Sequence, residues 1–132
     1  MLANGIVNSW VESISKRDPM LMTSFYSDDA VLLATFSNIL EGKDQILDYF
    51  IHFLDKEDLK CTITYNTTQL DYDRDTSISN GLYLFSFRDF GQMKLVKARY
   101  TYVVNQNQII THHSSLLPEW YGKINIRKIP SS

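Results

Sequence analysis

Apolar positions along this chain recur first at helical spacing and then, beyond Asp55, at the two-residue spacing of strands. Ile6, Val7, Trp10, Val11 and Ile14 fall on one face of a helix within residues 3 to 17. Asp18-Pro19 restarts the chain, since Asp is a good N-cap and Pro suits the first helical position. A short, largely apolar helix follows through Met20, Leu21, Met22, Phe25 and Tyr26. Ser27-Asp28-Asp29 reads as a turn and Ala30 to Phe36 as a strand. Gly42 precedes a third helix, Lys43 to about Asp55, with Ile46, Leu47, Phe50, Phe53 and Leu54 on its apolar face. Four long strands are then expected over 61–70, 77–88, 94–104 and 108–117. The polar segments 71–75, 89–91 and 105–107 form the turns between them.

Helices first and strands afterwards predict an α+β domain, with the helices laid on a strongly curved antiparallel sheet. A chain of 132 residues, 44% hydrophobic and 13% aromatic, has material for one core. Residues 1–119 are expected to form that domain, and 120–132 a C-terminal tail. The net charge of −2 gives no reason to expect a nucleic-acid partner. The only basic cluster, Lys123, Arg127 and Lys128, is interleaved with Ile124, Ile126 and Ile129, more like a strand or docking arm than a polyanion site. The single cysteine, Cys61, rules out an internal disulfide and a cysteine-rich zinc site. The N-terminus lacks the pattern of a signal peptide and no segment is long enough to span a bilayer, so a cytoplasmic protein without membrane contact is expected.

The segments Ala98-Arg99-Tyr100-Thr101-Tyr102 and His112-His113-Ser114-Ser115-x-x-Pro118-Glu119 resemble bacterial relatives of the calcium/calmodulin-dependent kinase II association domain. That group lies within the nuclear transport factor 2-like (cystatin-like) superfamily, with the SnoaL-like group as a neighbour. Trp10, Tyr26 to Ala30, Gly42 and Gly81-Leu82-Tyr83 are supporting matches, and the similarity covers roughly residues 5 to 119. The resemblance implies helices in the concave face of a curved sheet, a cone-shaped pocket, and oligomerisation. It implies neither kinase activity nor calmodulin binding. Asp89-Phe90-Gly91 repeats a kinase metal-binding tripeptide, but nothing else of a kinase is present and the segment reads as a hairpin turn.

The same resemblance implies that Arg99 and Thr101 point into the pocket. Val96, Ala98, Tyr100 and Tyr102 would then make an apolar outer face, covered either by a second copy or by the chain's own tail. A buried guanidinium needs an anion, so Arg99 either pairs with an acid such as Asp29 or Glu41 or anchors a polar or anionic ligand. Family register also places His112 and Ser114 inward and His113 outward, His113 at the interface. His112 is then a candidate general acid or base, or a polar plug in a dry cavity. Trp10, Phe50 and Tyr83, with Ile14, Phe25, Phe85 and Phe87, would line the wall. Adjacent strand residues diverge, so His112 and His113 cannot chelate one ion, and no metal or other cofactor is expected.

Two functions follow as expectations. One is a homodimeric or larger assembly module whose pocket holds a small polar or anionic organic ligand. The other is a proton-transfer enzyme (polyketide-cyclase-, isomerase- or dehydratase-like) built on the same pocket.

Overall fold

A computed structural model describes residues 2–35 and 37–118. The strand end at Phe36 and the tail 120–132 lie outside the described residues. Helix α1 (Ala3–Ser13) carries its apolar stripe of Ile6, Val7 and Trp10 into the core and tightens into a 3-10 turn, Ile14–Lys16. Arg17 then adopts φ 57°, which ends the helical run. Helix α2 (Pro19–Ser24) begins as the Asp-Pro pair predicts: the Asp18 carboxylate accepts from the backbone N–H groups of Met20 and Leu21. Helix α3 (Gly42–Phe53) buries Ile46, Phe50 and Phe53.

Strands β1 (Tyr26–Leu33), β2 (Ile39–Glu41), β3 (Glu57–Asp71), β4 (Thr76–Asp89), β5 (Gln92–Asn105) and β6 (Gln108–Leu116) form one sheet in the order β2-β1-β6-β5-β4-β3. The domain is therefore α+β, as the pattern predicts. Two expectations need correction. The sheet is mixed, because β1 runs parallel to β6. In addition, β1 starts at Tyr26: the segment read as a turn, Ser27 to Asp29, lies within a strand whose register to β6 shifts between Tyr26 and Val31.

The helices cover one face of the sheet, here the inner face. Trp10 stands at the centre of that layer, against Phe50, Tyr83, Phe85, Tyr102 and His112. Aromatic rings from α1, α3 and four strands thus fill the space between the layers. No helix of the described residues is long and apolar enough to cross a membrane.

The face assignment of β5 is the main correction. Ala98, Tyr100, Tyr102 and Val104 are buried beneath the helices and Val96 packs against the same core, whereas Lys97 and Arg99 are exposed on the outer face. The cause lies in β6. The turn at Gln106-Asn107 pairs Asn105 with Gln108, and an uninterrupted ladder would set Thr101 opposite His112 and Arg99 opposite Ser114. Ile110 is an extra residue, however, and the register slides by one, so Tyr102 faces His112 and Tyr100 faces Ser114. Cross-strand partners share a face, so this bulge turns Arg99 and Thr101 away from the interior.

Candidate functional site

Two places gather chemistry-bearing side chains, one inside and one outside. The inner one is a hydrogen-bonded chain through the aromatic layer. The Trp10 indole N–H donates to Tyr26 Oη at 3.0 Å. Tyr26 Oη lies 2.8 Å from His112 Nδ1, and Tyr83 Oη lies 3.2 Å from His112 Nε2. Tyr83 donates to Ser114 Oγ at 2.6 Å, and Ser114 in turn bonds the Thr35 hydroxyl.

Hydrogen-bond accounting fixes the tautomer. If Nδ1 carried the proton, Tyr26 Oη would accept from both Trp10 and His112 and its own proton would lack an acceptor. With the proton on Nε2, Tyr26 donates to Nδ1, Nε2–H donates to Tyr83, and every donor from Trp10 through Tyr83 has a partner.

His112 is 2% exposed, and burial lowers its pKa to about 3, with the neighbouring His113 adding in the same direction. Burial also pushes the phenols of Tyr26, Tyr83 and Tyr102 well above their usual range. At neutral pH the cluster is therefore uncharged. The remaining void beside Trp10, Tyr83, His112 and Ser114 is about 10 Å³, at the lower limit for one water. Among the described residues the buried Tyr102 hydroxyl makes no well-formed hydrogen bond, although it lies beside the Tyr83 hydroxyl. Of the residues expected to line an internal site, Trp10, Phe50, Tyr83, His112 and Ser114 come together here, and Arg99 and Thr101 do not.

The outer place is an open groove of about 480 Å³ lined by Tyr65, Asn80, Leu82, Arg99, Thr101, His113 and Ser115, floored by Gly81 and Tyr100. Arg99 Nε donates to Ser115 Oγ at 3.1 Å, and Thr101 donates to Asn80 Oδ1 at 2.8 Å. Neither Asp29 nor Glu41 pairs with Arg99, which has no carboxylate partner among the described residues. Arg99 lines the groove, and no acid is among the described residues of its walls. His113 lies on this outer face, as expected; Val96, Tyr100 and Tyr102, expected beside it, do not.

Sequence reasoning missed Thr35 and Asn80, and Thr35 carries no motif. Asn80 and Ser115 follow from Thr101 and Arg99 once the β4–β5–β6 register is known. No group of three or more His, Cys, Asp or Glu side chains among the described residues is placed to hold a metal ion.

The family model for the calcium/calmodulin dependent protein kinase II association domain matches residues 3–118. The chain belongs to that family. An association-domain candidate from Xanthomonas campestris is 35% identical, with a TM-score of 0.79 over 88% of this chain and 86% of that one. Two more distant solved structures share the fold. A nuclear transport factor 2-like superfamily protein from Salmonella enterica serovar Typhimurium is 17% identical, with a TM-score of 0.73 over 87% of this chain and 88% of the other. A ketosteroid isomerase-like protein from Erwinia carotovora atroseptica is 13% identical, with a TM-score of 0.71 over 89% and 95%. No curated protein matches the chain. Within this family's frame, the inner chain of hydrogen bonds ties the core of the association domain together, and among the described residues the exposed chemistry lies on the outer face of its sheet.

Proposed function

We propose that this association-domain protein is a self-association module that packs the outer face of its sheet against the same face of a second copy. The observation that carries this reading is the one-sided layering: α1, α2 and α3 all bury their apolar side chains in the core on the inner face. On the other face Ile78, Leu82, Leu84 and Val103 remain half-buried, and Leu95 is exposed. Six strands about 4.8 Å apart, with hairpin arms of 14 residues, provide more than the roughly 800 Å² that each partner gives a stable interface. A face that packs on itself needs one two-fold axis and closes the assembly. Membership of an association-domain family supports the same reading. Leu84→Asp should lower the mass measured by light scattering while leaving the far-UV spectrum unchanged. An unaltered mass would remove this face from the interface.

A second reading has its own observation. Arg99, tethered by Ser115 and without a carboxylate partner among the described residues, suits the carboxylate of a flat organic acid resting on Leu82 and Tyr65. On this reading the small-molecule site would lie in the outer groove rather than inside the cone. Titration with benzoate should show saturable binding that Arg99→Gln abolishes, and equal affinity for both proteins would reject the site.

Proton transfer at His112 has less support. Both ring nitrogens are engaged, the ring is held neutral, and the void beside it admits no substrate.

A further inference from the structure

Strand β3 ends the sheet, and its far edge pairs with no described strand. It is 15 residues long, and from Cys61 to Leu70 it contains no charge, proline or glycine. Soluble proteins usually guard so long an edge with charges, prolines or strong bulges. A register shift between Glu57 and Lys60 and the charges of Glu57, Asp58, Lys60 and Asp71 lie at its ends, but within Cys61 to Leu70 the only such device is the bulge at Thr64, where the register to β4 shifts between Ile63 and Tyr65. Most of the stretch is exposed, Tyr65 to 57% and Leu70 to 44%.

We infer that β3 pairs antiparallel with β3 of a second copy about a two-fold axis through Asn66, joining two sheets edge to edge. The register follows from three constraints. Paired residues must share a face of the joined sheet. Against β4, Cys61, Ile63, Thr68 and Leu70 sit opposite Phe85, Tyr83, Ser79 and Ser77, which are buried on the inner face. Tyr65, Thr67 and Gln69 sit opposite Leu82, Asn80 and Ile78 on the outer face.

With the two-fold at Asn66, Tyr65 meets Thr67. The second constraint is that Thr64 stays outside the ladder, as it does against β4. Ile63 then meets Thr68, Thr62 meets Gln69, and Cys61 meets Leu70. Every pair shares a face, although Cys61 and Leu70 would lie on opposite faces of an unbulged strand.

The third constraint is charge. The next pair in this register is Lys60 with Asp71, and the symmetry forms it twice, once at each end of the uncharged stretch. A slip of one residue breaks the face matching, and a slip of two separates the charges. Lys60 makes no ion pair among the described residues, and Asp71, paired with Arg74 at 3.4 Å, keeps 43% of its side chain exposed for a second cation. This edge contact is independent of the sheet-face contact, and the two together would build assemblies larger than a dimer.

A charge swap on the full chain tests it by sedimentation velocity. Lys60→Asp should weaken the edge contact by about tenfold or more, because two attractive pairs become repulsive. The double change Lys60→Asp with Asp71→Lys should restore it. Both substitutions are on the surface, and an unchanged melting temperature confirms that the fold is intact. Repeating the series on Leu84→Asp separates the two contacts. If the face contact fails, the edge dimer survives in that background and Lys60→Asp dissociates it. The inference is overturned if Lys60→Asp changes sedimentation in neither background, or if the double variant stays dissociated. Unchanged self-association together with binding of an added extended peptide would give the edge to a foreign strand instead, and would equally overturn it.

Discussion

Tyr102 lies flat against His112: their ring centroids are 3.8 Å apart, with planes 19° from parallel, and they are direct cross-strand partners on β5 and β6. With Trp10 edge-on to the same imidazole at 5.4 Å, the histidine has no route to solvent and no room to carry charge.

That enclosure sets the acid response of the protein. Unfolded His112 takes up a proton near pH 6.5, whereas the folded side chain does so only at about 3. Between these values the unfolded chain holds more protons, so acid favours unfolding. The contribution is complete above about 6.5 and is lost as pH falls toward 3, at up to about 1.4 kcal/mol per pH unit. Urea titrations across this window should show the loss. His112→Gln should flatten the slope, although it lowers stability at neutral pH by leaving the phenols of Tyr26 and Tyr83 short of partners. Equal slopes in the two proteins would show that His112 titrates normally.

Gly81 fills a place where no side chain fits. A Cβ there would sit 2.0 Å from the Tyr65 carbonyl oxygen and 2.5 Å from Tyr100 Oη. Tyr100 closes over the glycine and donates to Asn66 Oδ1 at 2.6 Å, which ties β5 to β3 across β4. The backbone oxygen cannot yield without moving β3, so Gly81→Ala should cost about 2 kcal/mol or more. Thermal melting measures this, and an unchanged midpoint would contradict the close approach.

Much of this was legible in the chain. The apolar stripe at Ile6, Val7 and Trp10 and the Asp18-Pro19 cap gave the helices. The two-residue alternation beyond Asp55 gave the long strands, and the inward His112 and Ser114 followed from the family register. What failed was the face of β5, because one bulged residue, Ile110, reverses which alternate positions look inward. An isoleucine carries no signal for a bulge, since nothing in its side chain separates the extra residue from its neighbours in an apolar strand. The parallel pairing of β1 with β6 was hidden for a related reason: it joins elements far apart in sequence, where no turn sets the register.

The β4–β5 hairpin turns through Phe90 and Gly91 at φ 51° and 78°. This left-handed pair suits Asn-Gly and is costly for a phenylalanine that is 98% exposed. Phe90→Asn should therefore stabilise the fold by about 1 kcal/mol, which corresponds to a rise of several degrees in melting temperature. A drop would show that the ring makes a contact the isolated chain does not contain.

Sedimentation equilibrium of the unmodified protein tests the central claim most directly. Self-association predicts a mass of at least twice the 15.3 kDa chain at micromolar concentration and above, falling toward a single chain on dilution. A mass that stays at one chain up to the limit of solubility would contradict an assembly role for this domain.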